Sequence, residues 1–462
     1  MKKNFQLKLI SVLLFSFLII YFNFDNFKLI IKERVPDNAY SKYVEIRKIL
    51  SGINDKEQID DLYYSFAKSL SNTPIIPKDI IIDGVEISSY SLEKVFPAKY
   101  GNSINSGYID FYKSDLVFAS GSGIFMYLQK QDDMSFKSTF IPTNITSLIN
   151  YPEFYKRSNY GLKDILILND EIYISVNFIL NNSINNVIFK SKFSKDELKF
   201  EPFFIPNKFI SLDYKLGINA HQSGGRIVEG RADSIIVSYG EYRYRDLAQS
   251  DSSVNGKILS ISLKNSGFRI ISKGHRNPQG LFFDEKNDYI LSTEHGPAGG
   301  DEINYNSDID KITNYGWPIS SYGNHYDISA DLNDHSESDN VIEGAPLYKS
   351  HFEYGFKEPI HYYKNNPGIS QVVGIDYAEK IKFVVGTMGW PDLKKNERDY
   401  LRSLLFYSFD KENKDIELMK DIYINERVRD LIYNSENKET YFLGETSGKI
   451  FKIDNIINYF EE

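Results

Sequence analysis

The chain has 462 residues, of which 42% are hydrophobic and 15% are aromatic, so it is long enough to bury a large core. Its formal net charge of −9 at pH 7 argues against nucleic acid as a partner, because nucleic acid phosphates require a basic surface. Cysteine is absent, which excludes thiol catalysis, disulfides, lipid attachment through a thiol, and zinc or iron–sulfur sites with cysteine ligands.

Residues 1–30 predict a signal sequence or a membrane anchor. Lys2, Lys3 and Lys8 precede fourteen uncharged, mostly apolar residues from Leu9 to Phe22. This run is shorter than the ~20 residues of a spanning helix, and no small-residue cleavage site follows it. We therefore expect export to the periplasm, with the segment either cleaved or kept as an N-terminal membrane anchor. A buried N-terminal helix is the alternative.

Residues 31–80 predict a small helical preface. Within residues 40–70, apolar side chains such as Tyr43, Ile46 and Leu50 recur at helical spacing. We expect one or two helices in this region.

Residues 81–460 predict an all-β domain. Short apolar or alternating runs recur between polar turns, as in DILILNDEIYISV, GLFFDEKNDYILSTE and DLIYNSENKETYFLGE. Repetition of one strand–turn–strand unit without helical spacers favours a β-propeller, and the length allows roughly six to eight four-stranded blades. Loops on one face of a propeller converge on its axis, which allows His221, His295 and Arg427 to meet.

Three segments carry candidate chemistry. The first contains His221 in the turn NAHQSGGRI, where a neutral imidazole can accept a hydroxyl proton near pH 7. The second, Gly274–Pro318, includes the acidic loop TEHGPAGGDEIN, whose oxygen ligands suit Ca²⁺. In the third, Arg427 and Arg429 alternate on a predicted strand, so both point to one face and suit a planar anion. The alternatives are a structural histidine, a capped turn and a salt-bridged strand end.

Together these segments resemble the soluble quinoprotein sugar dehydrogenases of the glucose/sorbosone dehydrogenase family, over about residues 155–455. The resemblance implies a six-bladed propeller that binds pyrroloquinoline quinone (PQQ) and Ca²⁺. It implies oxidation of an aldose or related sugar hydroxyl by hydride transfer to PQQ, with electrons passing to a periplasmic acceptor.

The resemblance also implies roles for individual residues. The general base is His221, and the substrate contact is Asn159. The quinone contacts are Arg276, Asn277, Arg427 and Arg429. Calcium is held by the carbonyls of Gly296 and Pro297, while Asp301 and Glu302 support the loop or a second calcium.

The chain departs from the family pattern at three places. Gly389 stands where the family has a cofactor-contacting lysine, and Ala220 stands where an aspartate often precedes the base. Residues 361–370 lack the tryptophan that stacks on the quinone, for which Tyr362 or Tyr363 could substitute. These departures leave a second hypothesis open, a non-catalytic, calcium-dependent binding module for carbohydrate or protein. A metal-dependent hydrolase or lactonase is a third.

Overall fold

Alternating apolar and polar residues, separated by tight polar turns, give strands that assemble into sheets. The computed structural model describes residues 74–92, 106–149, 151, 153–156, 158–214, 217–297, 299–324, 346, 348–377, 379–389 and 400–460. All of them belong to one compact unit, Asp60–Glu462. The predicted signal or anchor segment and most of the predicted helical preface lie outside the described residues.

Within this part of the chain the strands are numbered in order. The first fourteen are β1 (Pro74–Ile75), β2 (Lys78–Ile82), β3 (Val85–Ser91), β4 (Gly107–Tyr112), β5 (Asp115–Ser120), β6 (Phe125–Lys130), β7 (Phe136–Ile141), β8 (Leu162–Leu168), β9 (Glu171–Leu180), β10 (Ser183–Lys192), β11 (Glu201–Phe204), β12 (Ile210–Ser211), β13 (Gly224–Gly230) and β14 (Ser234–Tyr239). The others are β15 (Lys257–Ser262), β16 (Phe268–Lys273), β17 (Pro278–Asp284), β18 (Tyr289–Glu294), β19 (Glu302–Asn306), β20 (Thr313–Asn314), β21 (His361–Tyr362), β22 (Ile369–Tyr377), β23 (Ile381–Thr387), β24 (Ser403–Asp410), β25 (Asp415–Tyr423), β26 (Val428–Asn434), β27 (Glu439–Gly444) and β28 (Lys449–Asp454).

The described helices are short. The α-helices are α1 (Ile145–Leu148) and α2 (Glu153–Lys156). The 3₁₀ turns are Ser158–Tyr160, Arg245–Ala248, Phe352–Tyr354 and Ile456–Phe460. None of these helices has the length and apolarity that crossing a membrane requires.

The strands form six sheets, which are the blades of a β-propeller. From the innermost strand outward, blade 1 is β4-β5-β6-β7-β1, blade 2 is β8-β9-β10-β11 with β12 beside β10, and blade 3 is β13-β14-β15-β16-β20. Blade 4 is β17-β18-β19-β21, blade 5 is β22-β23-β24-β25, and blade 6 is β26-β27-β28-β3-β2. The inner strands contact their neighbours in a closed ring, β4-β8-β13-β17-β22-β26. The prediction of an all-β, six-bladed propeller is confirmed.

Blade 6 closes the ring with strands from both ends of the described chain. β28 pairs antiparallel with β3, so that Ile450 lies opposite Tyr90 and Phe451 lies opposite Ser89. The early strands correct the predicted domain boundary at residue 81. Because β1 pairs with β7 and β2 pairs with β3, the propeller already includes Pro74, and residues predicted to end the helical preface are strand.

The polar turns have the chemistry that tight hairpins require. Asn169 and Asp170, between β8 and β9, both have positive φ, as a two-residue turn of the I′ type demands. In a longer hairpin, the Asp284 carboxylate accepts a hydrogen bond from the Asn287 backbone N–H at 2.9 Å. These side chains fix the loop lengths, and with them the strand register.

Apolar clusters between neighbouring blades form the core. The cluster between blades 5 and 6, for example, brings Leu404 and Phe406 of β24 against Leu431 and Phe442 of blade 6. All four side chains are fully buried. Burial of side chains of this size contributes about 1.5–3 kcal/mol each, so the blades are held together mainly by apolar packing.

Buried carboxylates set the positions of the inner strands relative to one another. Asp110 of β4 accepts from the Ile167 N–H at 2.6 Å, Asp164 of β8 accepts from the Ile227 N–H at 2.8 Å, and Asp430 of β26 accepts from the Ile109 N–H at 2.9 Å. Each bond joins one blade to the next around the axis.

Arg226 of β13 joins two of these carboxylates, Asp164 and Asp430, into one network. Its Nη1 donates to Asp164 at 3.1 Å and to Asp430 at 2.7 Å. Its Nε donates to the Gln279 carbonyl at 2.7 Å, and its Nη2 donates to the Arg429 carbonyl at 2.6 Å. Arg226, Asp164 and Asp430, hereafter the Arg226 cluster, are all buried.

We expect Arg226→Met to lower the free energy of unfolding by about 3–5 kcal/mol, because it leaves two buried carboxylates without their cation. Urea unfolding measures the change. The matched control is Arg231→Met, which removes ion pairs of a half-exposed arginine with Asp288 and Asp310 and is expected to cost less than about 1 kcal/mol. Equal losses for the two variants would contradict this role of the cluster.

Candidate cofactor and catalytic site

One cavity lies at the end of the ring where the inner strands begin, and every blade contributes to its wall. We call it the axial cavity. Its described lining residues are Ser106, Tyr108, Lys163, His221, Asn277, Gln279, His295, Met388, Arg427 and Arg429. Five of the residues singled out from the sequence therefore meet here although they are far apart in the chain: His221, Asn277, His295, Arg427 and Arg429.

His221 lies in the loop that leads from β12 into β13. The loop is shaped by Asn219, whose side-chain oxygen accepts from the His221 backbone N–H at 3.0 Å. Although His221 is an exposed residue, partial desolvation by the protein around it disfavours the imidazolium form, and the nearby cations Lys163 and Arg429 add to this, so the pKa of His221 is lowered to about 4. The imidazole is therefore neutral at physiological pH and able to accept a proton.

A second imidazole, His295, faces the same cavity. Its Nε2 lies 2.6 Å from the Ile369 carbonyl, an acceptor, so this nitrogen carries the proton and Nδ1 carries the lone pair. Burial lowers the pKa of His295 to about 3. The expectation that His221, His295 and Arg427 meet at the axis agrees with this arrangement.

The two arginines of β26 and its preceding loop are held by one buried carboxylate. Arg427 Nε and Arg429 Nη2 each lie 2.9 Å from an oxygen of Glu445. Burial alone would raise the pKa of Glu445, but the two guanidiniums outweigh burial and hold it at about 2. Arg427 Nη1 also donates to the Gly389 carbonyl at 2.6 Å. Both guanidiniums are thus fixed in position at the cavity wall.

Blade 4 supplies the amide groups of the wall. The Asn277 side-chain oxygen accepts from the Gly224 N–H at 3.3 Å and from Gln279 Nε2 at 2.8 Å. This leaves the Asn277 amide nitrogen as a donor at the cavity wall. The Asn277 side chain thus connects the start of β17 to Gly224 and its neighbour Gly225. Both glycines have positive φ, a conformation that would be strained in a residue with a side chain.

Arg276 lies beside the axial cavity rather than in its wall. It belongs to a smaller side cavity, lined by Arg276, Glu294, His295, Gly296, Gly300, Glu302, Tyr315, Trp317, Ser320 and Ser321. Arg276 Nη1 donates to the His295 carbonyl at 2.9 Å, and its backbone N–H donates to Glu294 at 2.9 Å. Its contacts hold the loop that carries His295.

The acidic Gly-Pro loop lines the side cavity and also reaches the axial cavity through His295. Asp301 Oδ1 accepts from the Gly296 N–H at 3.0 Å, and Oδ2 accepts from the N–H groups of Gly368 at 2.9 Å and Ile369 at 3.2 Å. Burial raises the pKa of Asp301 to about 7, against the effect of these bonds. Asp301 therefore ties the loop to blade 5, and its oxygens are already engaged.

Glu302 and Pro297 complete this loop. Glu302 Oε1 lies 3.2 Å from Nε2 of His351, and both side chains are buried. Pro297 packs against Gly323, where a Cβ would come within 2.6 Å of its ring. Within the described residues no three histidine or acidic side chains cluster as metal ligands. A cation at this loop would therefore depend on backbone carbonyls.

Asn159 is not part of the axial cavity as the described residues define it. It lies on the 3₁₀ turn before β8, and its carbonyl accepts from Asn177 Nδ2 at 2.6 Å. The cavity residue from this blade is Lys163, four positions further along. The sequence signal for Lys163 was a lysine on an otherwise apolar inner strand, next to the Gly-Leu pair.

The segment 361–370 does not supply an aromatic surface to the cavity. Tyr363 is buried and shares a hydrogen bond with Tyr407 at 2.6 Å, whereas Tyr362 stacks on Tyr322 with ring centroids 3.9 Å apart. The phenol ring of Tyr108 and the thioether of Met388 instead supply apolar surface at the wall. The wall presents two guanidiniums, one ammonium group and two side-chain amides. These cations and hydrogen-bond donors fit a planar ligand with several carboxylates, such as the PQQ that the resemblance implies.

The geometry agrees with comparisons to known proteins. The profile of the Glucose / Sorbosone dehydrogenase family matches residues 138–452. Aldose sugar dehydrogenase YliI of Escherichia coli (strain K12) is 26% identical over 243 residues, which cover 50% of this chain and 59% of that protein. Quinoprotein glucose dehydrogenase B of Acinetobacter calcoaceticus is 43% identical over 74 residues, 14% of this chain and 15% of that protein. The alignments thus span less than two thirds of these relatives.

A solved structure, the apo-form of the soluble aldose sugar dehydrogenase from Escherichia coli, superimposes with a TM-score of 0.56. It is 19% identical, and the match covers 80% of this chain and 99% of that chain, so it shows the shared propeller fold. The family profile covers more than half of the chain and contains eight of the ten residues of the axial cavity. The chain belongs to the glucose/sorbosone dehydrogenase family.

Proposed function

We propose that the protein is an exported oxidoreductase that oxidises an aldose or related sugar hydroxyl, with PQQ as the hydride acceptor and Ca²⁺ as the accompanying cation. Electrons then pass to a periplasmic acceptor. The observation that carries the proposal is that a neutral histidine, His221, shares the axial cavity with Arg427 and Arg429. Family membership and the quinoprotein relative support the choice of a quinone.

His221 acts as the general base. Oxidation at C1 of the sugar removes the hydroxyl proton and a hydride from the same carbon, which converts a hemiacetal into a lactone. His221 takes the proton, because its lowered pKa keeps it unprotonated over the physiological range. A pKa of about 4 makes a weak base. An anionic ligand in the cavity offsets the repulsion from Lys163 and Arg429 and so counteracts that part of the lowering.

The cofactor residues act by position and charge. Arg427 and Arg429, fixed by Glu445, pair with the carboxylates of PQQ, and Asn277 and Gln279 donate or accept at its edge. When bound, PQQ supplies the acceptor for the hydride. Arg276 contributes indirectly. It donates a hydrogen bond to the His295 carbonyl and so positions the loop beside the cofactor.

The backbone carbonyls of Gly296 and Pro297 would hold Ca²⁺ at this loop. The hard oxygens of carbonyls and carboxylates are the ligands that Ca²⁺ prefers. Asp301 keeps the loop in shape by accepting the Gly296 N–H, and Glu302 is engaged with His351. In this proposal both acidic residues support the site rather than coordinate the ion.

The first expected result is cofactor-dependent activity. Purified protein incubated with PQQ and Ca²⁺ should reduce an artificial dye when an aldose is added, and PQQ should raise the thermal midpoint. At a hundredfold excess over the dissociation constant, a ligand stabilises the folded state by about 2.7 kcal/mol. Stabilisation by Ca²⁺ alone, without dye reduction or a PQQ effect, would favour the calcium-dependent binding module instead.

The second expected result concerns the base. His221→Gln should lower kcat for dye reduction by roughly 10²–10⁴-fold while the affinity for PQQ changes little, because only the proton transfer loses its acceptor. The control is His361→Gln on β21. The centroid of the His361 ring lies 4.6 Å from that of Tyr363, and His361 is not among the described residues that line the axial cavity. A His221→Gln enzyme with undiminished kcat would assign the base to another residue.

The third expected result is a direct titration of the imidazole. In the cofactor-free protein, nuclear magnetic resonance of ¹⁵N-labelled histidine should show His221 neutral until the pH falls to about 4. Between about pH 6.5 and pH 4 the unfolded histidine binds a proton that the folded one does not, so the contribution of His221 to stability falls as the pH is lowered through that window. PQQ should shift the His221 midpoint upward. A midpoint near 6.5 without PQQ would contradict the electrostatic analysis.

A further inference from the structure

Tyr108 brings a phenol into the wall of the axial cavity from blade 1. It is the second residue of β4, the inner strand of that blade, and it is only 4% exposed. In the proposed function the base and the cofactor contacts come from blades 3, 4 and 6, and blade 1 has no part. A polar group at the wall of a binding cavity calls for an explanation, since hydroxyls in protein interiors normally have a partner.

The ring of Tyr108 is supported from behind by the Arg226 cluster. The guanidinium carbon of Arg226 lies over the ring, 5.2 Å from its centroid, which is the geometry of a cation–π contact. Arg226 is itself held by Asp164 and Asp430, so its position is tied to the inner strands. A phenol with this support loses little conformational freedom when a ligand binds to it.

The hydroxyl of Tyr108 is available to a ligand. It has no hydrogen-bond partner among the described residues, and it is not one of the polar atoms that the protein encloses completely, so it opens onto the axial cavity. Burial raises the pKa of the phenol, against the opposing effect of Arg429 and Arg226. The hydroxyl therefore keeps its proton at physiological pH and can donate a hydrogen bond.

A second donor, Arg429, lies near this hydroxyl. Arg429 and Glu445 are both close enough to the phenol to act on its pKa, in opposite directions. Arg429 is fixed by Glu445 at 2.9 Å and is one of the guanidiniums proposed to pair with a carboxylate of PQQ. A carboxylate has about four acceptor sites, so the guanidinium and the phenol hydroxyl can bind the same one.

We propose that Tyr108 is a cofactor-binding residue whose hydroxyl donates a hydrogen bond to the carboxylate of PQQ that pairs with Arg429. The inference rests on the proposed function. It adds blade 1 to the cofactor site, and it gives Arg226 a second role, since the guanidinium supports the phenol ring from behind. The residue acts by hydrogen bonding alone, and no covalent step is involved.

The test is calorimetric titration of PQQ, in the presence of Ca²⁺, into the wild type and Tyr108→Phe. The substitution removes the hydroxyl and keeps the ring over Arg226, and circular dichroism melting verifies the fold. Loss of a hydrogen bond to a charged acceptor should weaken PQQ binding by about tenfold or more. The matched control is Tyr127→Phe on β6 of the same blade. It removes a hydroxyl that donates to Asp115, outside the described wall of the cavity, and should leave the affinity unchanged.

A fluorine probe at position 108 reports the contact itself and does not depend on a change in affinity. Tyr108→3-fluorotyrosine keeps the hydroxyl and places a fluorine atom beside it, so this variant should still bind PQQ. Saturating PQQ should shift the ¹⁹F resonance at position 108, whereas the resonance of the same probe at position 127 should stay unchanged. An unchanged resonance at position 108 with PQQ bound would place the cofactor away from the phenol and overturn the inference.

The outcomes are distinguishable. Wild-type protein that fails to bind PQQ overturns the proposed function, and the inference with it. Wild-type binding with an unchanged affinity in folded Tyr108→Phe overturns the inference alone, and so do equal losses in Tyr108→Phe and Tyr127→Phe. A loss of affinity confined to Tyr108→Phe, combined with a shifted resonance at position 108, supports both.

Discussion

The arrangement of the propeller depends on the buried guanidinium of Arg226. A propeller with six blades has no continuous core, since its apolar clusters lie between adjacent blades, and packing alone leaves the inner strands free to slide. Arg226 removes this freedom, because its bonds to Asp164, Asp430 and two carbonyls reach blades 2, 4 and 6 from blade 3. Asp430 extends the network to blade 1. Charged groups with fixed hydrogen-bond directions specify a register that non-directional packing cannot.

The same network positions the candidate site. The carbonyls that bind Arg226 belong to Gln279 and Arg429, and the side chains of both residues line the axial cavity. The structural cluster and the cavity are thus adjacent layers along one axis. Each layer carries opposite charges in close contact, Arg226 with two aspartates below and two arginines with Glu445 above. A shift of one inner strand would disturb both layers together, which links the stability of the fold to the geometry of the site.

Most of the candidate site was foreseeable because its residues occur in dense local motifs. His221, Asn277, Arg427 and Arg429 each stand in a turn or at a strand start with a recognisable pattern, and all four line one cavity. Lys163 and Glu445 were not singled out. Lys163 lies at the start of β8 and Glu445 follows β27, and a charge at a strand end is usually solvated; only the tertiary structure brings the two toward the axis. Asn159 does not line the axial cavity among the described residues, and its backbone carbonyl accepts from Asn177, so its role as a substrate contact stays a prediction.

The sequence by itself determined the all-β class, the propeller architecture and the identity of half of the residues that line the axial cavity, because turn chemistry and strand alternation are local properties. Only the tertiary structure decided which residues share a cavity, that Arg276 and Asp301 support the loop from behind, and that Arg226 links the blades. The reason is physical. Charge balance and hydrogen-bond partners are fixed by distances between residues that lie as far as 321 positions apart in the chain, and no local pattern encodes those distances.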